Sequence, residues 1–193
     1  FKKYPRKLKK YFLILNKLNV DYLYIPNDKD IYSFKPENKI YLDNFSKILC
    51  GKFRPSHFKG VINVINRFLE IIKPRFLYLG VKDYQQLSLI KSHIIQNKIK
   101  TNVVNCPTIR EKNGIAISSR NILLNQKQLQ NGGKIYKFLK DNKKLILYKI
   151  LNKQRYEILN RLIQLGATKI EYIECIDLVK KKICKKISSN FNI

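Results

Sequence analysis

Methionine and tryptophan are absent from the 193 residues, and only 13 residues carry a carboxylate against 40 Lys and Arg. Cysteine is scarce too. The four that occur (Cys50, Cys106, Cys175 and Cys184) form no Cys-x-x-Cys and no His-paired ligand spacing. That argues against a zinc site and against a secreted disulfide scaffold, and points to a reducing, cytoplasmic setting. No apolar run approaches the ~18 residues of a membrane span, since Tyr11–Ile25 is broken by Asn16, Lys17, Asn19 and Asp21. The basic start at Lys2 and Lys3 leads into Tyr-Pro-Arg, unlike a signal peptide. What the chain does have is apolar material: 45% of its residues are hydrophobic, enough at this length for a sizeable core and for one domain or slightly more.

The net charge of +27 invites a nucleic-acid reading, but the kind of cation weakens it. Lys supplies most of the charge and is spread along the whole chain, whereas base readout favours the planar fork of Arg. Lys, Asn, Ile, Tyr and Phe are over-used together, and these are the residues of A+T-rich codons. Mutational bias therefore accounts for the composition better than a polyanion surface does. Whatever its origin, the field favours anionic ligands such as ATP.

Periodicity gives a coarse layout. Leu8, Phe12, Leu15 and Leu18 recur at helical spacing after Tyr4-Pro5-Arg6. Asp21–Ile25 and Lys39–Leu42 read as short strands. Phe58–Ile72 reads as a helix with a buried face, stopped by Pro74. Arg75–Val81 reads as a buried strand, followed by a helix capped by Asp83 and carrying Leu87, Leu89, Ile90 and Ile94. Thr101–Cys106 is the next strand. This strand–helix–strand rhythm predicts an α/β protein with a parallel sheet wrapped by helices. After Pro107 come a polar, β-prone segment over Thr108–Asn121 and helical patterns over Gln126–Leu139 and Asn152–Leu165. The first of these is interrupted by Gly132-Gly133. Ile170–Ile176 is a last alternating strand, and Lys180–Ile193 reads as a solvated tail. A boundary near 108 divides the chain into domains of 1–108 and 109–193.

Two segments carry chemistry. In Tyr78–Leu87 a strand runs into a helix whose first N–H groups face an anion, with Lys82 as a point charge and Gln86 one turn on. In Cys106–Asn121 a pair of hydroxyls, Ser118-Ser119, precedes Arg120, a combination suited to phosphoryl oxygens. The same stretch also reads as a plain hairpin turning at Lys112-Asn113-Gly114.

Together these segments resemble the pantothenate synthetases, the pantoate–β-alanine ligases of the nucleotidylyltransferase superfamily. Gly80–Leu87 matches the family's Gly-Glu-Lys-Asp-[Phe/Tyr]-Gln-Gln-Leu, and Asn113–Asn121 its Asp-Gly-Leu-Ala-[Leu/Met]-Ser-Ser-Arg-Asn. Arg54–Val61 is similar to Arg-Pro-Gly-His-Phe-Arg-Gly-Val, and Tyr4-Pro5-Arg6 to the family's Tyr-Pro-Arg. The resemblance implies a Rossmann-like domain with a smaller α+β C-terminal domain. It also implies partners: a second copy (a homodimer), and the substrates pantoate, β-alanine and ATP with Mg²⁺. The reaction implied is ATP-dependent formation of pantothenate and AMP through a pantoyl adenylate. Gly80, Val81, Lys82, Asp83 and Ile109 would line the nucleotide site, and Ile117, Ser118, Ser119 and Arg120 would hold its phosphates. Gln86 would bind pantoate, with Arg54 and His57 beside it, while His93 is structural.

The chain departs from the family in having no His-x-Gly-His block, which holds the catalytic histidine, and no Phe-Val-Asn-Pro-x-Gln-Phe block. Val81 stands for the family's Glu and Asn113 for its Asp. The expectation is a piece of a longer protein or a decayed remnant, holding substrates without turning them over. A basic nucleic-acid-binding protein is the alternative from another class, marked by steeply salt-dependent RNA binding.

Overall fold

The computed structural model describes residues 8–33 and 35–184. The Tyr4-Pro5-Arg6 motif and the tail beyond Cys184 lie outside them. The organising unit is a parallel pair, β1 (Phe76–Gly80) and β2 (Asn102–Cys106), in register from Phe76↔Asn102 to Gly80↔Cys106. Between them α5 (Tyr84–Gln96) crosses back over the sheet after a short 3₁₀ turn at Val81–Asp83, as the strand–helix–strand rhythm requires.

Leu77, Leu79 and Val103 point to one face of the pair. There they meet α4 (His57–Ile72) and α5 through Phe58, Ile62, Leu69, Leu89, Ile90 and Ile94, the core of this part of the chain. The other face differs from the buried strand expected from the sequence. Phe76 and Tyr78 are exposed, because no described element covers them. The first helix, α1 (Leu8–Lys17), forms where the apolar spacing places it, yet none of its residues is buried, and the short helices α2 (Asp28–Tyr32) and α3 (Cys50–Phe53) follow it before α4. The expected strands at Asp21–Ile25 and Lys39–Leu42 do not form, since among the described residues neither finds a strand to pair with.

A second cluster, Ile146, Ile150, Ile158 and Leu162, joins α6 (Gln126–Asp141), α7 (Lys143–Leu151) and α8 (Arg155–Gln164). The expected strand Ile170–Ile176 is reduced to β3 (Ile176–Asp177), paired antiparallel with β4 (Lys182–Ile183). No helix of the described residues is long and apolar enough to cross a membrane.

Gly132-Gly133 does not interrupt α6. The helix starts on a capping box, Asn125 with Gln128, and runs through both glycines. A Cβ at Gly133 would lie 2.4 Å from the Asn113 carbonyl oxygen, and one at Gly132 would lie 2.7 Å from Ile115 Cδ1. The pair is the seat for a hairpin whose strands meet at Arg110↔Ala116. Backbone cannot yield as a side chain can, so Gly133→Ala is expected to cost about 1–3 kcal/mol, as over-packing does. Thermal melts of the chain and the variant measure it; an unchanged midpoint would show that the hairpin is not held there.

His93 is fully buried beneath α4, as a structural residue should be. Tyr41 N–H (3.3 Å) and Asn97 Nδ2 (3.2 Å) approach its Nδ1, so the proton sits on Nε2 and is donated to Asn66 Oδ1 at 3.0 Å. Burial lowers its pKa below 6.5, against the opposing charge of Glu70. The unfolded chain therefore binds the proton more readily, and stability present above about pH 6.5 declines on acidification. Denaturant unfolding at pH 7.5 and 5.5 should show that decline, and His93→Gln should flatten it. A profile of equal slope in both would contradict this assignment.

Candidate active site

Strand order decides where a site can form. In an open parallel sheet, ligands bind beyond the carboxyl ends of the strands. Here β1 ends at Gly80 and delivers Lys82–Gln86, while β2 ends at Cys106 and delivers, through the hairpin, Ile117–Arg120. Both stretches line one cavity of about 930 Å³, together with Arg54 and His57 from the loop before α4 and the start of that helix. Lys82, Asp83, Gln86, Ile117, Ser118, Ser119 and Arg120, expected from the sequence to bind ligands, line this one cavity.

Gly80, Val81 and Ile109 are not among its lining residues. Ile109 stands behind it, its carbonyl accepting from Ile117 N–H at 2.9 Å and so fixing the segment that carries the two serines. Gly80 has an ordinary φ of −71°, and a Cβ there would meet nothing within 4 Å, so packing within the described chain does not require glycine. Asp83 occupies the position before α5 but makes no capping hydrogen bond, contrary to expectation. Its carboxylate lies 3.8 Å from Lys82 Nζ instead.

The hairpin reading of Cys106–Asn121 holds, and the serines lie beyond its far end. The turn closes through Gly114 N–H to the Glu111 carbonyl at 2.8 Å, and Gly114 takes a φ of 93° there. Arg110 lies 3.6 Å over the Tyr136 ring and donates to the Gly114 carbonyl, which anchors the turn on α6. At the other end Ser118 Oγ accepts from Arg120 N–H at 3.2 Å, capping the 3₁₀ turn Ser119–Leu123. In this contact the hydroxyl accepts, and its own proton is not used by it.

Several lining residues escaped the sequence reading. Tyr172 closes the cavity from the C-terminal part, with its hydroxyl 2.8 Å from Cys50 Sγ and its ring stacked on Phe53 at 5.8 Å. Burial and the Cys50 contact push its pKa to about 12, so it stays protonated at neutral pH. Beside it Arg54 and Glu171 form an ion pair at 2.8 Å. These contacts join residues more than a hundred positions apart, so local pattern gave no signal for them. Among the described residues no group of three or more His, Cys, Asp or Glu is placed to hold a metal ion.

A parallel α/β sheet with cations and hydroxyls gathered beyond its carboxyl ends belongs to the class of nucleotide-handling Rossmann-like proteins. Comparison with known proteins narrows the class. The sequence profile of pantoate-beta-alanine ligase matches residues 1–190, and the chain belongs to that family. It is 35% identical to the pantothenate synthetase of Fervidobacterium nodosum over 97% of this chain and 67% of that protein. It is 37% identical to that of Thermodesulfovibrio yellowstonii over 76% of this chain and 52% of the relative. The crystal structure of the Francisella tularensis pantoate-beta-alanine ligase, complexed with beta-gamma ATP and beta-alanine, superposes with a TM-score of 0.77. Identity there is 36%, covering 91% of this chain and 64% of that one. The Thermus thermophilus pantothenate synthetase shares the fold at a TM-score of 0.81 and 24% identity, over 96% of this chain and 68% of that one. The chain thus spans about half to two thirds of the length of these relatives.

Proposed function

We propose that this chain carries the nucleotide- and pantoate-holding part of a pantoate–β-alanine ligase. The observation that carries the reading is the convergence of Lys82, Gln86 and Ser118–Arg120, from two strand ends, on one cavity. The relative with beta-gamma ATP and beta-alanine bound supports the choice of ligands.

In the reaction a carboxylate oxygen of pantoate attacks the α-phosphorus of ATP, and the bond to the β-phosphate breaks, releasing pyrophosphate. The amine of β-alanine then attacks the acyl carbon of the adenylate. An amide forms, AMP leaves and the amine loses a proton. Charge builds on phosphoryl oxygens in the first step, so the work of the chain is positioning and electrostatic stabilisation. Lys82 and Arg120 supply positive charge, the free N–H groups at the start of α5 supply dipoles, and Ser118 and Ser119 supply hydroxyl donors. Mg²⁺ neutralises phosphate charge when bound. The described residues offer it no cage, which suits an ion carried in on the nucleotide with Asp83 as an adjacent carboxylate.

The division into domains of 1–108 and 109–193 belongs to the same reading, supported by two separate hydrophobic clusters. So does a homodimer, as in the family resemblance. Of the chain's two histidines, His93 is buried away from the cavity and His57 lines it, exposed and outside any His-x-Gly-His block. The expected outcome is therefore binding without efficient turnover. Calorimetric titration with ATP–Mg²⁺ and pantoate, and incubation with labelled β-alanine while AMP is followed, test both halves. Failure to bind ATP overturns the assignment. Sustained turnover would move charge stabilisation onto residues present here, His57 first.

Gln86 offers a sharper check, because an amide both donates to and accepts from a hydroxy acid. Gln86→Glu sets a carboxylate against the pantoate carboxylate. It should weaken pantoate binding about tenfold or more and ATP binding far less, since one lost charge-assisted contact costs roughly 1.5–3 kcal/mol. Equal weakening of both would remove Gln86 from the pantoate site.

A further inference from the structure

The cavity has two walls that no strand or helix joins directly. One is the start of α5 with Lys82 and Gln86; the other is the segment from Leu49 to His57. What ties them is a lining residue whose carboxamide is spent on the chain itself. Gln85 is buried, and its carboxamide grips the loop from which the second wall departs. Its Nε2 donates to the Phe45 carbonyl at 2.6 Å and the Ile48 carbonyl at 2.8 Å, while its Oε1 accepts from Cys50 N–H at 3.1 Å. Both donors and one acceptor site are used, all on a single loop.

That loop is held in a conformation it would not keep alone. Leu49 sits at φ 52°, ψ −124°, outside the regions that L-residues ordinarily occupy. Gly51 lies so close to the Ser46 carbonyl that a Cβ would fall 1.8 Å from its oxygen. Phe45 and Leu49 are buried in the core on either side, so the loop can shift only by breaking the Gln85 bonds. From it the chain runs directly through Cys50 to Arg54 and His57, which line the cavity.

We infer that Gln85 is a positioning residue: it sets the gap between the Lys82–Gln86 wall and the Arg54–His57 wall, and so the seat of the hydroxy-acid substrate between them. The inference rests on the reading of the cavity given above. Nucleotide phosphates are held by Lys82, which stays on the α5 wall, and by the Ser118–Arg120 segment, and the three Gln85 bonds go instead to Phe45, Ile48 and Cys50. Loosening the tie therefore separates the two substrates. Displacing one wall by about an ångström costs on the order of a hundredfold in a positioned reaction, whereas a uniformly weakened fold shifts both substrates together.

The test uses the whole chain. Gln85→Leu removes all three bonds. Gln85→Glu keeps the volume and the acceptor for Cys50 N–H while turning a carboxylate towards two carbonyls, and it serves if the leucine variant does not fold. Pantoate titrated against chain saturated with a non-hydrolysable ATP analogue should bind about tenfold or more weakly, while the analogue stays within about threefold of its original affinity. Amide hydrogen exchange without ligands should quicken at 45–50 and remain as before in β1 and at 117–123. Two outcomes overturn the inference: equal loss of both affinities, or unchanged affinities in a chain that only melts earlier. If the unmutated chain binds neither ligand, the reading of the cavity fails by itself. The exchange measurement then still decides whether Gln85 ties the walls, and unchanged exchange at 45–50 refutes it.

Discussion

Replacing Lys82 with alanine is expected to weaken ATP binding by this chain about tenfold to a hundredfold, the equivalent of one charge-assisted hydrogen bond at roughly 1.5–3 kcal/mol. The side chain lies at the carboxyl end of β1, in the mouth of the cavity and beside the free N–H groups of α5. Its ionic neighbour is Asp83 at 3.8 Å, an exposed pairing too loose to compete with a polyphosphate. A chain of net charge +27 attracts any nucleotide diffusely, so the control is Lys137→Ala, which removes an equal charge from the exposed face of α6. Calorimetric titration at physiological ionic strength separates the two, because the diffuse field is screened beyond about 8 Å. Equal effects from Lys82→Ala and Lys137→Ala would reduce the site to a general field. In a protein that completes the reaction, the same change should slow adenylate formation by about 2–4 kcal/mol, the worth of one preorganised donor.

The second large effect concerns stability. Glu70 is almost fully buried on α4, where it closes a polar network beneath the 37–41 segment. Its Oε1 accepts from Glu37 N–H at 2.9 Å, Asn38 N–H at 3.2 Å and Asn66 Nδ2 at 2.7 Å, and its Oε2 lies 3.4 Å from Arg67 Nη1. Asn66 passes the order on to His93. Glu70→Leu leaves these donors facing an apolar side chain, and breaking a buried ionic arrangement from one side costs about 3–5 kcal/mol. Against a typical total of about 5–15 kcal/mol, that is a large share of the stability. Glu70→Gln, which keeps one acceptor, should lose less. Chemical denaturation of the three proteins orders them, and a loss below about 1 kcal/mol for the leucine variant would mean that water replaces the carboxylate.

How much of this was legible in the sequence depended on whether the deciding contact was local. The run Phe76–Gly80, the helix after it and the run Asn102–Cys106 announce themselves through period and punctuation, and they alone place the cavity. Lys82 and Gln86 could be named because a strand runs into a helix there, and Ser118–Arg120 because two hydroxyls precede an Arg, while the ligand assigned to each came from the family resemblance. Extended segments were over-read as strands. Asp21–Ile25 and most of Ile170–Ile176 have β-type alternation, but a strand is completed by a partner that alternation cannot see. Lys143–Leu151 went unread as a helix because only Asn142 separates it from α6. Gln85 was hidden behind Gln86, since nothing in two adjacent glutamines says which one turns inward. Tyr172 reaches Cys50 across 122 positions, and such a contact becomes visible only once the chain is folded.

The glycine pair beneath the hairpin also bears on how this sequence can change with time. A bias towards A+T codons, which fills the chain with Lys, Asn and Ile, erodes glycine, because every glycine codon begins with two guanines. One G-to-A step at either guanine turns glycine into serine, arginine, aspartate or glutamate, and each of these brings a Cβ. At Gly133 that atom would meet the carbonyl of Asn113, and at Gly132 the side chain of Ile115. Ser118 and Ser119 hang from the same hairpin, so a drift tolerated on the lysine-rich surface is opposed here by folding. At this pair, drift towards A+T codons would run against the packing of the protein.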